Sequence, residues 1–371
     1  MSERRDRMLW RRMDWVLFAV MVALAVASVA FIFSASYRGP GQPMPLFYRQ
    51  QLIWFVAGLA LYLVVMVVDY RLICQWATVW YALAVVALVL VLVFGVKVYG
   101  ARRWLGWGRF GIQPAEMAKL AVIVTLAYYL FHRTPDQRRH WSTIAGAWMW
   151  TGVPFVLILV EPDLGSAFTL VPIVFGMLFL AGARVKQLAL AGLLGLCLTP
   201  VAWWHMKAYQ RERLTVFLNP NRDPLGAGWN LNQSLIAVGS GGLTGKGFLQ
   251  GTQNSLGYLP RTVAPNDFLF SVIAEEKGFV GSACVVGLYA VLLARGLRIA
   301  ASARDRLGLL LATGIVVMLM VHVFVNIGMT IGLMPVTGLP LPLLSYGGSF
   351  VLASMTALGL LQNIWIHRRH Y

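Results

Sequence analysis

The sequence predicts an all-α integral membrane protein with ten transmembrane helices and one large extracytoplasmic loop between the seventh and eighth helices. Hydrophobic residues make up 59% of the 371 positions and charged residues only 12%. Apolar runs of about 20 residues, the length that crosses a bilayer, recur from one end of the chain to the other. Polar residues are concentrated in short connections and in one long segment. Together these three observations exclude a soluble domain.

The ten predicted helices follow the apolar runs in order. Their predicted bounds are Trp15–Ser34, Gln51–Val68, Trp76–Val96, Pro114–Phe131, Trp141–Val160, Gly165–Gly182, Gln187–Trp204, Phe268–Ala294, Leu307–Leu333 and Phe350–Ile366. The chain then forms a single membrane domain, 1–371, with tails at 1–14 and 367–371, helices in 15–204 and 267–366, and the outer loop in 205–266. The basic N-terminus leads into the first span without a small-residue cleavage site, which predicts a retained helix rather than a signal peptide.

Basic residues orient these spans in the membrane. An even number of spans puts both chain ends on one side, and the positive-inside rule makes that side cytoplasmic. The basic residues on it are Arg4, Arg5, Arg7, Arg11, Arg12, Arg71, Arg133, Arg138, Arg139, Arg184, Lys186, Arg295, Arg298, Arg304, Arg306, Arg368 and Arg369. The net charge of +17 therefore reflects topology and lipid headgroups rather than binding of nucleic acid.

The outer face also carries positive charge, against the topological bias. An anionic ligand such as a phosphate or pyrophosphate explains this charge, and contact with lipid headgroups explains it equally well. The basic residues near the membrane on this face are Arg102, Arg103, Arg109, Arg211 and Arg213.

Four ionisable residues lie at the outer ends of predicted spans. Glu116 and Lys119 share one face at the start of the fourth span, because they are three residues apart. Asp163 lies in the short turn before the sixth span, and Asp267 immediately precedes the eighth. Such groups are costly at membrane depth unless paired or hydrated, so they are functional candidates. Helix capping accounts for Asp163 and Asp267 without catalysis, and a favourable acid at a helix N-terminus accounts for Glu116.

Other polar residues within the spans have a structural interpretation. Glu275, Glu276 and Lys277 lie inside the eighth span and are expected to form a buried structural network. His322 and Asn326 lie one turn apart in the ninth span, a position more typical of hydrogen-bonded packing than of ligands. The proline-rich segment that follows cannot be a continuous helix, which predicts that it lines a cavity.

Two functions fit the charged residues of the outer face. In the first, a carboxylate acts as general base to a substrate hydroxyl while cations stabilise a leaving phosphate. In the second, the charges line a transport path through the bilayer. The first is favoured because the charges cluster toward one face and because no clear inverted repeat is present. No Cys/His set predicts a zinc site.

Several motifs resemble those of the SEDS family (shape, elongation, division and sporulation). They are QPAEMAK, EPDLGSA, the loop segment from YQRERL to NSLGYLP, DFLFSVIAEEKGFVG and GLMPVTGLPLPLLSYGGS. The resemblance covers nearly the whole chain. The short N-terminal tail and the total length are more similar to the RodA-like branch, which serves rod-shape elongation, than to the FtsW-like division branch.

The resemblance implies a ten-helix peptidoglycan glycosyltransferase of the bacterial cytoplasmic (inner) membrane, with both termini cytoplasmic. Such enzymes polymerise lipid II, a disaccharide-pentapeptide on undecaprenyl pyrophosphate, into glycan strands at the outer face, here during elongation and shape maintenance. The implied partners are a class B penicillin-binding protein, which is a transpeptidase, and other membrane proteins of the elongation complex. Neither nucleic acid nor an organic cofactor is expected. A lipid II flippase and a non-catalytic scaffold are the alternatives.

The resemblance also implies roles for individual residues. Asp267 matches the family's essential aspartate and is the expected base for a sugar 4-hydroxyl. Glu116, Lys119 and Asp163 match two further motifs and are expected to support the site. The candidates for stabilising the leaving pyrophosphate are Arg109, Arg211 and Lys119, followed by Arg102 and Arg103. A divalent cation, Mg²⁺ or Mn²⁺, held by Asp163, Glu116 and Asp267 is a further candidate.

Two departures from the family pattern lie close to these residues. The family usually reads P-E-x-x-T-D-F before the eighth helix, whereas here Arg261 follows the proline, Asn266 replaces the threonine and Asp267 comes two residues later. The changed approach leaves open how this loop lies over the site, and whether the metal requirement or a partner contact is altered. EPDLG in place of the common QPDLG adds a second acid, Glu161.

Overall fold

The structure is a computed structural model. It describes residues 12–37, 46–98, 101–107, 110–219, 223, 226, 228–260 and 263–368. Arg109, Arg261 and most of both tails lie outside these residues, so the predictions made for them are not addressed by the structure.

Fifteen α-helices make up most of the described chain. They are α1 (Trp15–Ser36), α2 (Phe47–Val67), α3 (Tyr70–Gln75), α4 (Ala77–Phe94), α5 (Pro114–Phe131), α6 (Trp141–Val160), α7 (Leu164–Ala181), α8 (Val185–Cys197), α9 (Thr199–His205), α10 (Ala208–Leu218), α11 (Trp229–Ser240), α12 (Thr252–Ser255), α13 (Leu269–Ala301), α14 (Arg306–Thr330) and α15 (Gly348–Ile366). A single 3-10 turn, Gln137–Arg139, precedes α6. The fold is that of an all-α polytopic membrane protein.

Nine helices of the described chain are long and apolar enough to cross a membrane. They are α1, α2, α4 to α7 and α13 to α15. The seventh predicted span, Gln187–Trp204, is instead divided between α8 and α9. The division falls just before Pro200, whose missing N–H removes a helical hydrogen bond. Each of these two helices alone is shorter than the bilayer, so nine of the ten predicted spans are single long helices in the described chain and the seventh is broken.

A small antiparallel sheet joins α4 to α5. Its strands are β1 (Val96–Val98), β2 (Ala101–Trp107) and β3 (Phe110–Ile112), with β2 in the middle. The sheet fixes the direction of the arginines of β2. Arg103 is directed toward the turn between α6 and α7.

Three helices form the buried centre of the bundle. At least 67% of the residues in the spanning windows of α5, α14 and α15 are buried, against 33% or fewer in α1, α2, α4 and α6. The outer helices therefore present apolar side chains to lipid, as a membrane solvent requires. The central helices also carry buried polar side chains, and some of these contact each other, as Lys119 and His322 do.

The predicted outer loop is not a simple loop. Within it, α11 packs against α13 and α14. The hydroxyl of Ser234 on α11 lies 2.7 Å from that of Ser271 and donates to the carbonyl oxygen of Thr330, also at 2.7 Å. Part of this segment is thus built into the bundle beside the start of α13.

A glycine-rich segment fills a kink in α13. Gly278 has φ 63° and ψ −158°, a conformation that interrupts the helix. The backbone groups that the kink leaves without helical partners bond to the glycine-rich segment. The N–H of Lys246 donates to Glu275 O at 3.0 Å, and the N–H of Phe279 donates to Gly242 O at 2.9 Å. The glycines of this loop therefore allow close approach of two backbones.

The acids of α13 anchor the same loop. The Glu275 carboxylate accepts from Lys246 Nζ at 2.7 Å, and Glu276 accepts from the hydroxyl of Ser34 on α1. Both glutamates are buried, as the sequence predicted. Lys277 is exposed and lies over the ring of Phe248, so its predicted place in the buried network was wrong.

Candidate active site

Asp267 is held by its backbone in front of α13. Its N–H donates to Val263 O at 2.9 Å, and its carbonyl oxygen accepts from Asn326 Nδ2 at 3.0 Å. The N-cap of α13 is Phe268, and no side chain caps this helix. Helix capping is therefore wrong as an explanation of Asp267, and its carboxylate is left for other interactions.

An arginine from the outer segment lies beside this carboxylate. A methyl group at Gly338 would lie 3.5 Å from Asp267 Oδ2 and 3.9 Å from Arg213 Nη1, so both side chains approach this glycine. Arg213, on α10, also donates to Val336 O at 3.3 Å. The absence of a side chain at Gly338 keeps the space between the acid and the guanidinium open.

The surroundings of Asp267 raise the pKa of its carboxyl to about 6. Burial is the largest cause because it disfavours the charged form; the positive charge of Arg213 opposes it. Asp163 raises this pKa further, and Arg103 lowers it. A carboxyl with such a pKa is mostly ionised at neutral pH and remains basic enough to accept a proton.

Asp163 occupies the N-terminus of α7 as a helix cap, as expected. Its carboxylate accepts from the backbone N–H of Ser166 at 3.2 Å and from its hydroxyl at 3.0 Å. It also accepts from Gln113 Nε2 at 2.7 Å, and Arg103 Nη1 lies 3.9 Å away. Asp163 therefore caps α7 and also belongs to the cluster of charged residues around Asp267.

Arg103 connects the small sheet to the turn before α7. Its guanidinium donates to the carbonyl oxygens of Pro162 and Glu161. A cleft opens between this turn, α10 and the proline-rich segment. It is lined by Arg103, Leu164, Gln210, Arg213, Val336 and Thr337. Two guanidinium groups thus border this cleft, whose volume is about 30 Å³. The Asp267 carboxylate does not line it but lies near one of them, that of Arg213.

Glu161 is the additional acid in the same turn. Its side chain is buried, and neither carboxyl oxygen has a hydrogen-bond partner. Burial, and next the charge of Asp163, raise its pKa to about 8, while Arg103 acts in the opposite direction. Glu161 is therefore neutral at physiological pH.

Glu116 and Lys119 form a fully enclosed ion pair at the start of α5. Lys119 Nζ lies 2.8 Å from Glu116 Oε2 and 2.9 Å from His322 Nε2 on α14. His322 Nδ1 lies 3.1 Å from Pro340 O, so the neutral ring donates to this carbonyl oxygen and accepts from the ammonium. Because Lys119 is completely buried, direct contact with a pyrophosphate is not available to it in this structure.

The structure separates the predicted arginines into two groups. Arg103 lies in the cluster, whereas Arg102 is exposed and donates to Leu92 O at 3.4 Å. Arg211 donates to Trp204 O at 2.7 Å instead of pointing to Asp267. Arg213 was noted in the sequence but not chosen, since two arginines on one helix cannot be distinguished without its partners.

Three supporting residues were not among the predicted site residues: Gln113 was not singled out, whereas His322 and Asn326 were interpreted as hydrogen-bonded packing residues. Gln113 binds Asp163, His322 binds Lys119, and Asn326 holds the backbone of Asp267. Gln113 lies in the QPAEMAK motif, and the polar pair at 322 and 326 lies inside an apolar span, so both carried a usable signal. Their hydrogen-bond partners lie far away in the chain and could not be predicted from the sequence.

The carboxylates proposed to hold a divalent cation do not converge. Among the described residues, no group of three or more His, Cys, Asp or Glu side chains is placed to share a metal ion. Glu116 is engaged by Lys119, and Asp163 by Ser166 and Gln113. The residues present therefore do not fit a three-carboxylate site, and no step below is derived through a metal.

Comparison with known proteins identifies the class to which this fold and cluster belong. A model of the FtsW/RodA/SpoVE family, described as cell cycle proteins, matches residues 13–370. The chain belongs to this family, which is the SEDS family named above.

Three individual relatives show how similar the chain is in sequence to proteins of this family. It is 38% identical over 362 residues to the peptidoglycan glycosyltransferase MrdB of Escherichia coli (strain K12), covering 96% of this chain and 94% of that one. It is 34% identical over 423 residues to the peptidoglycan glycosyltransferase RodA of Treponema pallidum (strain Nichols), covering 95% and 97%. A probable peptidoglycan glycosyltransferase, FtsW of Trichlorobacter lovleyi, is 38% identical over 359 residues, covering 95% and 92%.

Solved structures share the fold. The crystal structure of the rod shape determining protein RodA of Thermus thermophilus matches with a TM-score of 0.71 and 31% identity, covering 97% of this chain and 98% of that one. A chain of a peptidoglycan synthase complex, described in terms of the structural coordination of polymerization and crosslinking, matches with a TM-score of 0.79 and 34% identity, covering 96% and 98%.

Proposed function

We propose that this SEDS peptidoglycan glycosyltransferase polymerises lipid II with Asp267 as general base. Family membership and the relatives support the class of activity. The observation that carries the role of Asp267 is its geometry: its carboxylate does not cap α13, its pKa is raised to about 6, and it lies near Arg213, whose guanidinium borders the cleft.

The proposed step is transfer of a glycosyl group to a sugar hydroxyl. Asp267 takes the proton from the acceptor 4-hydroxyl while that oxygen attacks the anomeric carbon of the donor. The bond from this carbon to the pyrophosphate oxygen breaks, and undecaprenyl pyrophosphate leaves with the bonding electrons. Arg103 and Arg213 are placed to stabilise the charge that develops on the leaving group.

Asp163 and the Glu116–Lys119 pair have supporting roles in this proposal. Asp163 fixes the turn to which Arg103 binds, and the buried ion pair fixes the start of α5 beside it. We assign Arg102 and Arg211, two of the other predicted cations, to contacts with the substrate at the periphery of the site. A divalent cation stays a separate prediction, tested by adding EDTA and then restoring Mg²⁺ or Mn²⁺.

We further propose ten membrane crossings with both termini cytoplasmic. The segment from α8 to α9, residues 185–205, would span about 30 Å at 1.5 Å per residue, which is enough for one broken crossing. The cluster around Asp267 then faces the outside of a bacterial inner membrane, where lipid II is polymerised. Reaction of cysteines introduced in the described loops with an impermeant reagent tests this orientation.

The proposed partner is a class B penicillin-binding protein that crosslinks the new strands, together with other proteins of the elongation complex. The likeness to a chain of a peptidoglycan synthase complex supports a crosslinking partner. Depletion distinguishes the two branches of the family: cells that round up indicate elongation, and cells that filament indicate division.

Purified protein separates the polymerase from a flippase and from a scaffold. The protein and its transpeptidase partner are given labelled lipid II in detergent, and translocation is measured in liposomes. We expect glycan strands from the pair. Translocation without strands would favour a flippase, and strands that require only the partner would favour a scaffold.

A further inference from the structure

Asn326 is a fully buried asparagine of α14 whose side chain contacts two other segments of the chain. Its amide nitrogen, Nδ2, donates to Asp267 O at 3.0 Å and to Leu339 O at 2.7 Å. An asparagine amide nitrogen carries two hydrogens, so these two carbonyl oxygens account for both of them. One side chain therefore joins α14, the residue proposed as the base and the proline-rich segment, residues 331–347.

The amide of Asn326 lies next to the place that the Asp267 carboxylate occupies. Leu339 directly follows Gly338, the glycine that the side chains of Asp267 and Arg213 approach. The φ of Gly338 is 78°, in the left-handed region that favours glycine. The backbone of Asp267 and the residue beside its carboxylate are thus held by the same amide, so loss of this amide would shift one relative to the other.

A second side chain of α14 holds the next residue of the proline-rich segment. His322 lies one turn before Asn326, and its Nδ1 is 3.1 Å from Pro340 O. The carbonyls of Leu339 and Pro340 are therefore held in succession by two side chains of one helix. Because α14 belongs to the buried centre of the bundle, these contacts come from a rigid element, which precise placement of a reacting group requires.

A backbone bond holds the approach to Asp267 against the same segment. The N–H of Tyr346 donates to Pro265 O at 2.9 Å. The approach, which is two residues longer than the family pattern, is thus fixed at Pro265 by backbone and at Asp267 by the side chain of Asn326. Only the second of these contacts is removed by a substitution at residue 326.

Asn326 does not line the cleft between Arg103 and Arg213. Its effect on the reaction therefore passes through Asp267 rather than through the substrate. A reacting group displaced by about 1 Å can cost about 10²-fold in rate. A residue that places the base without contacting the substrate is expected to change kcat rather than KM.

We propose that Asn326 is a positioning residue for glycosyl transfer, which acts by holding the backbone of Asp267 against the proline-rich segment. The inference rests on the proposed role of Asp267 as general base. It extends that role to α14, a helix that contributes no residue to the lining of the cleft.

The matched control is Asn363, a second buried asparagine that bridges carbonyl oxygens. Near the end of α15, its Nδ2 donates to Val65 O at 2.8 Å and to Met66 O at 3.1 Å, and its Oδ1 accepts from the N–H of Tyr70 at 3.0 Å. Asn363→Leu removes at least as many hydrogen bonds as Asn326→Leu. A loss of rate that came only from lost stability would therefore appear at least as strongly in the control.

The variants are Asn326→Leu, Asn326→Asp, Asn363→Leu and Asn363→Asp. Leucine has a similar size and donates no hydrogen bond. Aspartate keeps the shape of asparagine but has at most one hydrogen to donate, so it cannot bridge two carbonyl oxygens, and it decides the question if a leucine variant fails to fold. Each protein is purified with the transpeptidase partner and given labelled lipid II, and the Tm, kcat and KM of strand formation are measured. Asp267→Asn and its double variant with Asn326→Leu are measured alongside.

We expect both leucine variants to have a lower Tm, since each leaves buried carbonyl oxygens without a donor. Only the variants at residue 326 should have a lower kcat, by about 10- to 100-fold, with KM within about twofold of wild type. In the Asp267→Asn background, Asn326→Leu should lower kcat by about twofold or less, because two residues that act as a unit are not additive.

Equal kcat values for the variants at residues 326 and 363 would overturn the inference, and a low rate of Asp267→Asn would then leave the proposed base in place. A full further loss in the double variant would also overturn it, because Asn326 would then act independently of Asp267. A rate of Asp267→Asn close to that of wild type would contradict the proposed function itself, and the positioning role with it.

Discussion

At the scale of single residues, the protonation of Asp267 is set by burial and by three charged neighbours. Burial and Asp163 raise its pKa, whereas Arg213 and Arg103 lower it, and the result is about 6. A general base works only when deprotonated, so polymerisation should fall as the pH drops through about 6 and level off above it. The midpoint of this fall in rate on the acid side of the pH profile, the acid limb, therefore reports the ionisation of the Asp267 carboxyl.

Replacement of Arg213 with Gln should move that limb to higher pH. The arginine lowers the pKa of Asp267, so its removal raises this pKa and leaves more of the base protonated at neutral pH. The measurement is the initial rate of strand formation between pH 5 and 8.5. Arg211→Gln is the control, because its guanidinium binds Trp204 O. An unchanged midpoint in Arg213→Gln would contradict the assigned pair, even if the maximal rate falls.

Glu161 is predicted to make stability depend on pH in the opposite sense from an ion-paired acid. The pKa of Glu161 in the folded protein is about 8, above the value of about 4.3 for an unfolded glutamate. The protonated side chain therefore favours the folded state. This contribution to folding stability is fully present below about pH 4.3 and is lost as the pH rises through about 8. Glu161→Gln keeps the neutral shape without titrating. The Tm of the variant relative to wild type should therefore rise between pH 5 and 8.5, and a constant difference would contradict this account.

At the scale of helices, the Glu116–Lys119 pair joins α5 to α14 through His322. The pair is fully buried, so removing only the ammonium leaves an uncompensated carboxylate, at a cost of about 3–5 kcal/mol. We expect Lys119→Met to accumulate poorly in membranes. The double variant with Glu116→Gln should recover much of that loss, as measured by the yield of folded protein in detergent. Normal yield of Lys119→Met with lost activity would indicate a direct role in catalysis.

The kink in α13 gives a second prediction at this scale. A Cβ at residue 278 would lie 2.4 Å from Gly245 N and 2.6 Å from Leu243 O, both backbone atoms that cannot easily move. Gly278→Ala should therefore lower the Tm, with backbone strain alone costing about 1–3 kcal/mol. Gly287, on the same helix with open space around it, is the control; Gly287→Ala should be neutral or slightly stabilising. Equal effects of both substitutions would contradict the packing role of the loop.

The same scale shows how far sequence patterns predict this fold. Hydropathy located nine spanning helices because burial in lipid is a property of each segment by itself. It did not predict the break between α8 and α9, the loop inserted at Gly278 or the sheet before α5. Each of these depends on backbone pairing or on contacts between segments that are distant in the chain.

At the scale of the whole molecule, the helix ends explain where the candidate site lies. The starts of α5, α7 and α13 lie together and bring Glu116, Asp163 and Asp267 to one end of the bundle. The sequence predicted these acids from their positions at span boundaries. It could not predict that Arg213 rather than Arg211 faces Asp267, because that choice depends on how α10 folds back over the proline-rich segment. The buried centre formed by α5, α14 and α15 keeps this arrangement fixed.

Strand formation by the Asp267→Asn variant tests the central claim most directly. Wild type, Asp267→Asn and the control Glu212→Gln, an exposed acid on α10, are each purified with the transpeptidase partner and given labelled lipid II. Loss of a general base predicts at least a 100-fold lower rate, from the usual contribution of about 10²–10⁴. Glu212→Gln should match wild type. Polymerisation by Asp267→Asn within a few-fold of wild type would contradict the account.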